Sequence, residues 1–349
     1  MAKGGLIVNE TVRLLSKFTP EIIDLLERRY NILRAIKNGQ PLGRRLLAEQ
    51  LSLGERVVRG ELDFLKNQQL LVSNTAGVSL TLECESLMLQ LGELVHKLRG
   101  LITLERNLTQ KLGLEKVYIV PGDVDNDRSI LHEIGKMGAR FIRDVVKDDW
   151  VVAVTGGTTM AEVAYSFPKS AGKKNVLIVP ARGGLGEDVD IQANTIAAGI
   201  AQRLGVSYRL LHVPDGISEE TLDKLMLENR VQEVITLSRH ANLLVHGIGN
   251  PMETAKRRDL NWPKLFEGTN KSAVGEVFGY FFAADGSIVK TTPTVGPTLE
   301  ELAELDLVVA VAGGRGKAEA ILAVLKHGFV DILFTDQGAG ERIQELLEI

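Results

Sequence analysis

The apolar positions of this chain change period part-way along it. Over PEIIDLLERRYNILRAIKNG (20–39), Ile22, Leu25, Leu26, Ile32, Leu33 and Ile36 fall close to helical spacing, with Pro20 in a favoured first turn and Gly39 at the end. The next stretch, PLGRRLLAEQLSLGERVVRGELDFLKNQQL (41–70), predicts a short helix over 44–50, a break at Leu51-Ser52-Leu53-Gly54 and a second helix over 55–66. In that second helix Val58, Leu62 and Leu65 share one face, while Arg56, Arg59, Asp63 and Lys66 fall mostly on another. LLVSNTAGVSLTLE (70–83) reads as two strands around a turn at Asn74 to Gly77. From 83 to about 111, Leu87, Leu91, Leu94, Leu98 and Leu101 recur at four, three, four and three residues. That spacing predicts one long helix with a coiled-coil seam of two heptads, weakened by Gly92 and Gly100.

Beyond Gly113 the helical stretches alternate with short apolar runs: VYIV (117–120), VVAV (151–154), VLIV (176–179), LLVHGI (243–248), LVVAVA (307–312) and DILF (331–334). This alternation predicts a mostly parallel sheet covered on both faces, a doubly wound α/β fold that binds ligands at the carboxyl ends of its strands. FGYFFAADGSIV (278–289), with a turn at Ala284 to Gly286, reads as an inserted hairpin. The division expected is 1–88 for an N-terminal winged helix-turn-helix, 89–112 for a connector helix and 113–349 for the doubly wound α/β domain.

A short helix, a tight turn and an amphipathic helix with exposed arginines have the shape of a helix-turn-helix, whose second helix enters the DNA major groove. The alternative is a helical hairpin with a solvated basic face, and the strand pair that follows favours the first reading by supplying a wing. Arg56 and Arg59 are placed to reach base edges, and Arg44, Arg45 and Lys66 to meet phosphates. Glu55, which opens the second helix, belongs to the same candidate DNA-binding surface.

Two stretches share the skeleton V-x-G-G-x-x-x-A-E: VTGGTTMAEV (154–163) and VAGGRGKAEA (311–320). Each is predicted to join a strand's carboxyl end to a helix, where glycines admit a ligand and the first N–H groups of the helix favour an anion. The first copy adds hydroxyls from Thr155, Thr158 and Thr159 beside Gly156 and Gly157, and the second adds cations from Arg315 and Lys317. Two such loops suggest two phosphates; the plainer alternative is glycine packing at two strand-to-helix turns. Arg182 and Gln192 in VPARGGLGEDVDIQAN (179–194), Arg257 or Arg258 in ETAKRRDL, and Glu276 in VGEVFGYFF lie near other strand ends. Several arginines with one carboxylate fit a sugar carrying phosphate at both ends.

Composition narrows the classes. The net charge of −4 is unevenly spread: residues 1–70 hold 12 Lys/Arg against 8 Asp/Glu, and the remainder 29 against 37. A basic head on an acidic body marks a specialised N-terminal segment. A single cysteine, Cys84, excludes an internal disulfide and fits a reducing cytoplasm, and the six histidines show no metal-ligand spacing, so no metal is expected. No apolar run approaches the ~20 residues of a membrane-spanning helix. A sugar-phosphate isomerase or deaminase with an appended DNA-binding head is the alternative. Asp123, Asp125, Asp127 and Glu276 are available acids, but no nucleophile motif accompanies them.

Taken in order, GRRLLAEQLSLGERVVRGELDFL, VTGGTTMAEV, VPARGGLGEDVDIQAN and VAGGRGKAEAI resemble the SorC family of bacterial transcription regulators, over nearly the whole chain. The resemblance implies an effector domain similar to sugar-phosphate isomerases and deaminases but without their activity. It also implies a repressor of genes for lower glycolysis, not an enzyme, relieved by fructose 1,6-bisphosphate and assembled as a homo-oligomer on double-stranded operator DNA. One phosphate would then lie on the loop Thr155 to Thr159 and the other near Arg257 and Lys317, with Arg182, Gln192 and Glu276 completing the pocket. No cofactor beyond that effector is implied.

Overall fold

The computed structural model describes residues 17–51, 53–169, 173–184, 188–214, 217–257 and 272–348. The chain divides between Thr103 and Leu104 into two compact units.

The first unit begins with α1 (Pro20–Gly39), followed by α2 (Arg44–Gln50) and α3 (Glu55–Asn67). An antiparallel pair comes next, β1 (Leu71–Asn74) with β2 (Gly77–Leu80), and the unit closes with α4 (Leu82–Leu98). These bounds agree with the periodicity. The shared apolar face of α3 is buried with Ile32, Ile36, Leu47, Leu71 and Val78 in one core. The wing's tip is an Asx turn, in which Asn74 Oδ1 accepts from the N–H groups of Ala76 (2.8 Å) and Gly77 (3.0 Å). Together these elements form the winged helix-turn-helix.

The single helix expected over 83–111 is broken. It ends at Leu98, and Gly100 takes a left-handed φ of 69° before α5 (Leu101–Leu112) begins. The leucine seam is interrupted with it: Leu87 and Leu94 are exposed, whereas Leu98 and Leu101 are buried. Glycine at the junction allows a conformation that an unbroken helix excludes.

In the second unit a seven-stranded parallel sheet has the order β3-β12-β11-β7-β4-β5-β6. Its strands are β3 (Lys116–Val120), β4 (Val151–Val154), β5 (Leu177–Pro180), β6 (Ser207–Tyr208), β7 (Leu243–His246), β11 (Val308–Val311) and β12 (Ile332–Asp336). β7, β11 and β12 are buried at every position, as sheets covered on both faces require. Among the described residues the α-helices that accompany the sheet are α6 (Ser129–Val145), α7 (Thr158–Ser166), α8 (Ala193–Leu204), α9 (Glu219–Leu225), α10 (Asn229–Arg239), α11 (Pro251–Arg257), α12 (Leu299–Ala303), α13 (Ala318–His327) and α14 (Gln337–Leu346). Sequence reasoning missed β6, which has only two residues. The inserted hairpin is β9 (Tyr280–Phe282) with β10 (Ile288–Thr291), joined by β8 (Gly275–Val277) into a separate antiparallel sheet.

The edge strand β3 is covered by α5. Thr109 Oγ1 accepts from the N–H of Val117 (3.0 Å), and Glu105 Oε1 accepts from that of Ile119 (2.8 Å) in a buried bond. From β4 the chain winds outward through β5 to β6, then returns to the other side of β4 as β7. The strand order thus reverses between β4 and β7, and a crevice opens there at the carboxyl ends.

Candidate functional site

The crevice is walled by the segments that follow β4, β5, β7 and β11, together with β8, and encloses about 860 Å³ including its open mouth. The floor begins where β4 ends. Thr155 Oγ1 accepts from the N–H of Gly247 (3.2 Å), tying the ends of β4 and β7 together. Gly156 approaches the opposite backbone so closely that a Cβ would lie 2.5 Å from the Ile191 carbonyl oxygen. Gly157, with φ 114° and ψ 160°, occupies a region open essentially to glycine alone, and it starts α7 with no side-chain cap. This local geometry explains why the apolar run breaks at two glycines. The first N–H groups of α7 have no acceptor within the helix, and Thr158, Thr159 and Met160 line the crevice. The hydroxyls of Thr158 and Thr159 have no partner among the described residues. An uncapped helix start with two hydroxyl donors is suited to an anion.

Across from this loop stands Glu276 on β8, 2% exposed. One of its carboxylate oxygens accepts from Arg182 Nη2 (3.4 Å) and the N–H of Gly279 (2.8 Å); the other accepts from Thr254 Oγ1 (3.0 Å). Gln192 lines the crevice just before α8, its Nε2 donating to the Asp188 carbonyl at 3.0 Å. Lys317 reaches the same crevice from the loop after β11, and its ammonium has no carboxylate partner among the described residues. Sequence reasoning missed the wall after β7, Gly247 to Asn250 with Glu253 and Thr254, although GIGNP following an apolar strand was a signal of the same kind. Arg257 ends α11, but its side chain and all of Arg258 lie outside the described residues.

The second glycine loop differs from the expectation. The chain's own carboxylates already hold its N–H groups: Gly314 donates to both oxygens of Asp336 (3.0 and 3.1 Å), Arg315 to Asp123 Oδ1 (3.2 Å) and Gly316 to Asp125 Oδ2 (2.6 Å). The Arg315 guanidinium bonds both oxygens of Glu345 on α14, at 2.7 and 2.9 Å, and is absent from the crevice lining. The loop therefore has no backbone donors open to a phosphate among these three, and of its two cations only Lys317 lines the crevice. Asp123 and Asp125, weighed above as acids for catalysis, serve as acceptors for this loop.

His246, at the end of β7 between the two glycine loops, is fully buried. Burial pushes its imidazole down to about 4. The neutral ring donates from Nδ1 to the Gly247 carbonyl (2.9 Å) and packs beside Phe278 and Phe329.

In the first unit, Arg44, Arg59 and Lys66 line a groove with Asn74 and Thr75 of the wing tip. Arg44 and Arg45 lie 3.7 and 3.8 Å from Glu55, and Arg59 lies 3.8 Å from Asp63. Exposed pairs of this length contribute about 0–1 kcal/mol each, so the arginines remain available to an incoming polyanion. Arg56 is exposed on the same helix.

Comparison with known proteins decides what this arrangement is. A family profile described as "Putative sugar-binding domain" matches residues 96–345, and one described as the CggR N-terminal DNA binding domain matches 25–95. The crystal structure of a SorC family transcriptional regulator from Enterococcus faecalis is 39% identical, with a TM-score of 0.64 over 69% of this chain and 99% of that one. The chain belongs to the SorC family of transcription regulators. Within it, the chain is 41% identical to the central glycolytic genes regulator of Priestia megaterium, over 95% of this chain and 97% of that protein. It is 38% identical to that of Bacillus subtilis, over 96% and 99%. SorC-family relatives are named as regulators, so the chain is a DNA-binding regulator and the enzyme reading is set aside. Among the described residues no helix is long and apolar enough to cross a membrane.

Proposed function

We propose that this regulator is a cytoplasmic repressor of glycolytic genes, acting as a homo-oligomer whose operator affinity is lowered by fructose 1,6-bisphosphate. The names of its full-length relatives support the gene set. The observation that carries the ligand is the crevice itself: the uncapped start of α7 with its threonines on one wall, and Lys317 on another. One phosphate sits on Thr155-Gly156-Gly157-Thr158-Thr159 and the second is met by Lys317, with Arg257 as the further cation assigned to it. Arg182, Gln192 and Glu276 meet the sugar between them; Glu276, already accepting three bonds, is the acceptor for hydroxyls. Ligand spanning the ends of β4 and β11 fixes their separation. α5, bonded to β3 through Glu105 and Thr109, passes the change toward α4 across the Gly100 break. The DNA surface is Arg44, Arg45, Glu55, Arg56, Arg59 and Lys66, with Arg56 and Arg59 on the bases.

Thermal unfolding with fructose 1,6-bisphosphate, fructose 6-phosphate or inorganic phosphate tests the effector. Ligand at about 100 times its Kd adds roughly 2.7 kcal/mol, a shift of several degrees. A large shift with the bisphosphate alone, followed by release of operator DNA, is the expected result; equal shifts for all three, or none, remove the two-anion reading.

A further inference from the structure

The closed second loop raises the question of what its glycines and aspartates are for. Gly314 has φ 103°, and a Cβ on it would lie 2.6 Å from Asp125 Oδ1; one on Gly316 would lie 3.2 Å from Asp125 Oδ2. Both glycines thus leave room for the Asp125 carboxylate to close on the loop backbone. Asp123 is seated equally tightly. Its Oδ1 accepts from the N–H of Asp125 (3.0 Å) and its Oδ2 from Asn126 Nδ2 (3.1 Å), and a Cβ on Gly338 would come within 2.4 Å of its Cγ. With Asp336 below, three carboxylates from two distant segments take the three consecutive N–H groups of residues 314–316. The Lys317 N–H then donates to the Gly314 carbonyl at 2.9 Å and completes the turn. Nothing in this turn offers a phosphate a backbone donor, so its contribution to the crevice is where it puts the next side chain. A lysine is a point charge on a flexible stem, and its precision has to come from the backbone that carries it.

We propose that Asp125, backed by Asp123, is a positioning residue for Lys317, standing in for an anion on the loop so that the loop presents its ammonium to a ligand anion bound elsewhere. The proposal rests on the reading that Lys317 meets the second phosphate of a bisphosphate.

The test uses the full chain and the variants Asp125→Ala and Asp125→Asn. Each is titrated calorimetrically with fructose 1,6-bisphosphate and, separately, with inorganic phosphate, and hydrogen exchange is followed at residues 314–316. Loss of one charge-assisted hydrogen bond predicts about tenfold weaker bisphosphate binding in Asp125→Ala. Phosphate binding at the α7 loop stays unchanged and exchange at 314–316 accelerates. Asp125→Asn, which keeps an acceptor oxygen, binds the bisphosphate within about threefold of the parent. Equal or tighter bisphosphate binding by Asp125→Ala overturns the proposal, because the carboxylate would then act only as a repelling charge. A parent chain that ignores the bisphosphate sinks the effector reading instead. Hydrogen exchange then decides the clamp alone: slow exchange lost in Asp125→Ala upholds it, and fast exchange in the parent overturns it.

Discussion

The loops after β4 and β11 share a skeleton, leave parallel strands of one sheet and enter helices, yet they offer a ligand different things. The first keeps its helix start uncapped and adds neutral hydroxyls. The second has spent its N–H groups on Asp123, Asp125 and Asp336, and its arginine on Glu345. Local sequence determines the turn, while distant partners determine whether the turn is available. A glycine-rich loop is therefore half a binding argument, and the other half lies in what already occupies its donors.

Substitutions in the first loop should have the largest effect. Gly156→Ala drives a methyl group against the Ile191 carbonyl oxygen, and overpacking of this kind costs about 3 kcal/mol. We expect a fall of several degrees in Tm together with loss of any bisphosphate-induced shift. A Gly156→Ala chain that melts and responds like the parent would show that close approach at this glycine is dispensable.

Acid acts next, on the strand between the loops. The folded chain holds His246 at about 4, below its ordinary 6.5, so unfolding takes up a proton in that interval. Stability present above pH 6.5 is lost as pH falls toward 4, by about 3 kcal/mol at most. Denaturant unfolding at pH 7 and pH 4.5 measures it, and His246→Gln should flatten the difference.

Lys317→Ala separates the two loops by function. Loss of a charged hydrogen-bonding partner predicts roughly 10- to 100-fold weaker bisphosphate binding, with operator binding intact. If the operator were lost and the sugar still bound, Lys317 would belong to a different role. The smallest effect is expected from Arg315→Ala, whose side chain is exposed and paired with Glu345: about twofold at most in bisphosphate affinity. A loss matching that of Lys317→Ala would mean that Arg315 leaves Glu345 when ligand arrives.

Much of this was legible beforehand. The helix-turn-helix bounds, the wing and the buried strands followed from period and turn residues, because those signals are local. Gly100 was visible as a weakness, but whether a glycine is tolerated within a helix or ends it depends on packing. The closure of the second loop was out of reach, since Asp123 and Asp125 lie 192 and 191 residues from the groups they bind. Glu276 reads from sequence as an acceptor, while its partners Arg182 and Thr254 emerge only when β8 meets the segments that follow β5 and β7.

The cover that α5 lays over β3 has a consequence for copies of the chain at high concentration. A bare edge strand offers its N–H groups to any extended segment nearby and seeds runaway sheet growth. Here Thr109 and Glu105 have already taken those of Val117 and Ile119, and the opposite rim, β6, is only two residues long. Both rims of the sheet are thereby blunted, by a side-chain hem on one side and by brevity on the other, which leaves an extended segment of a neighbouring molecule little to pair with along them.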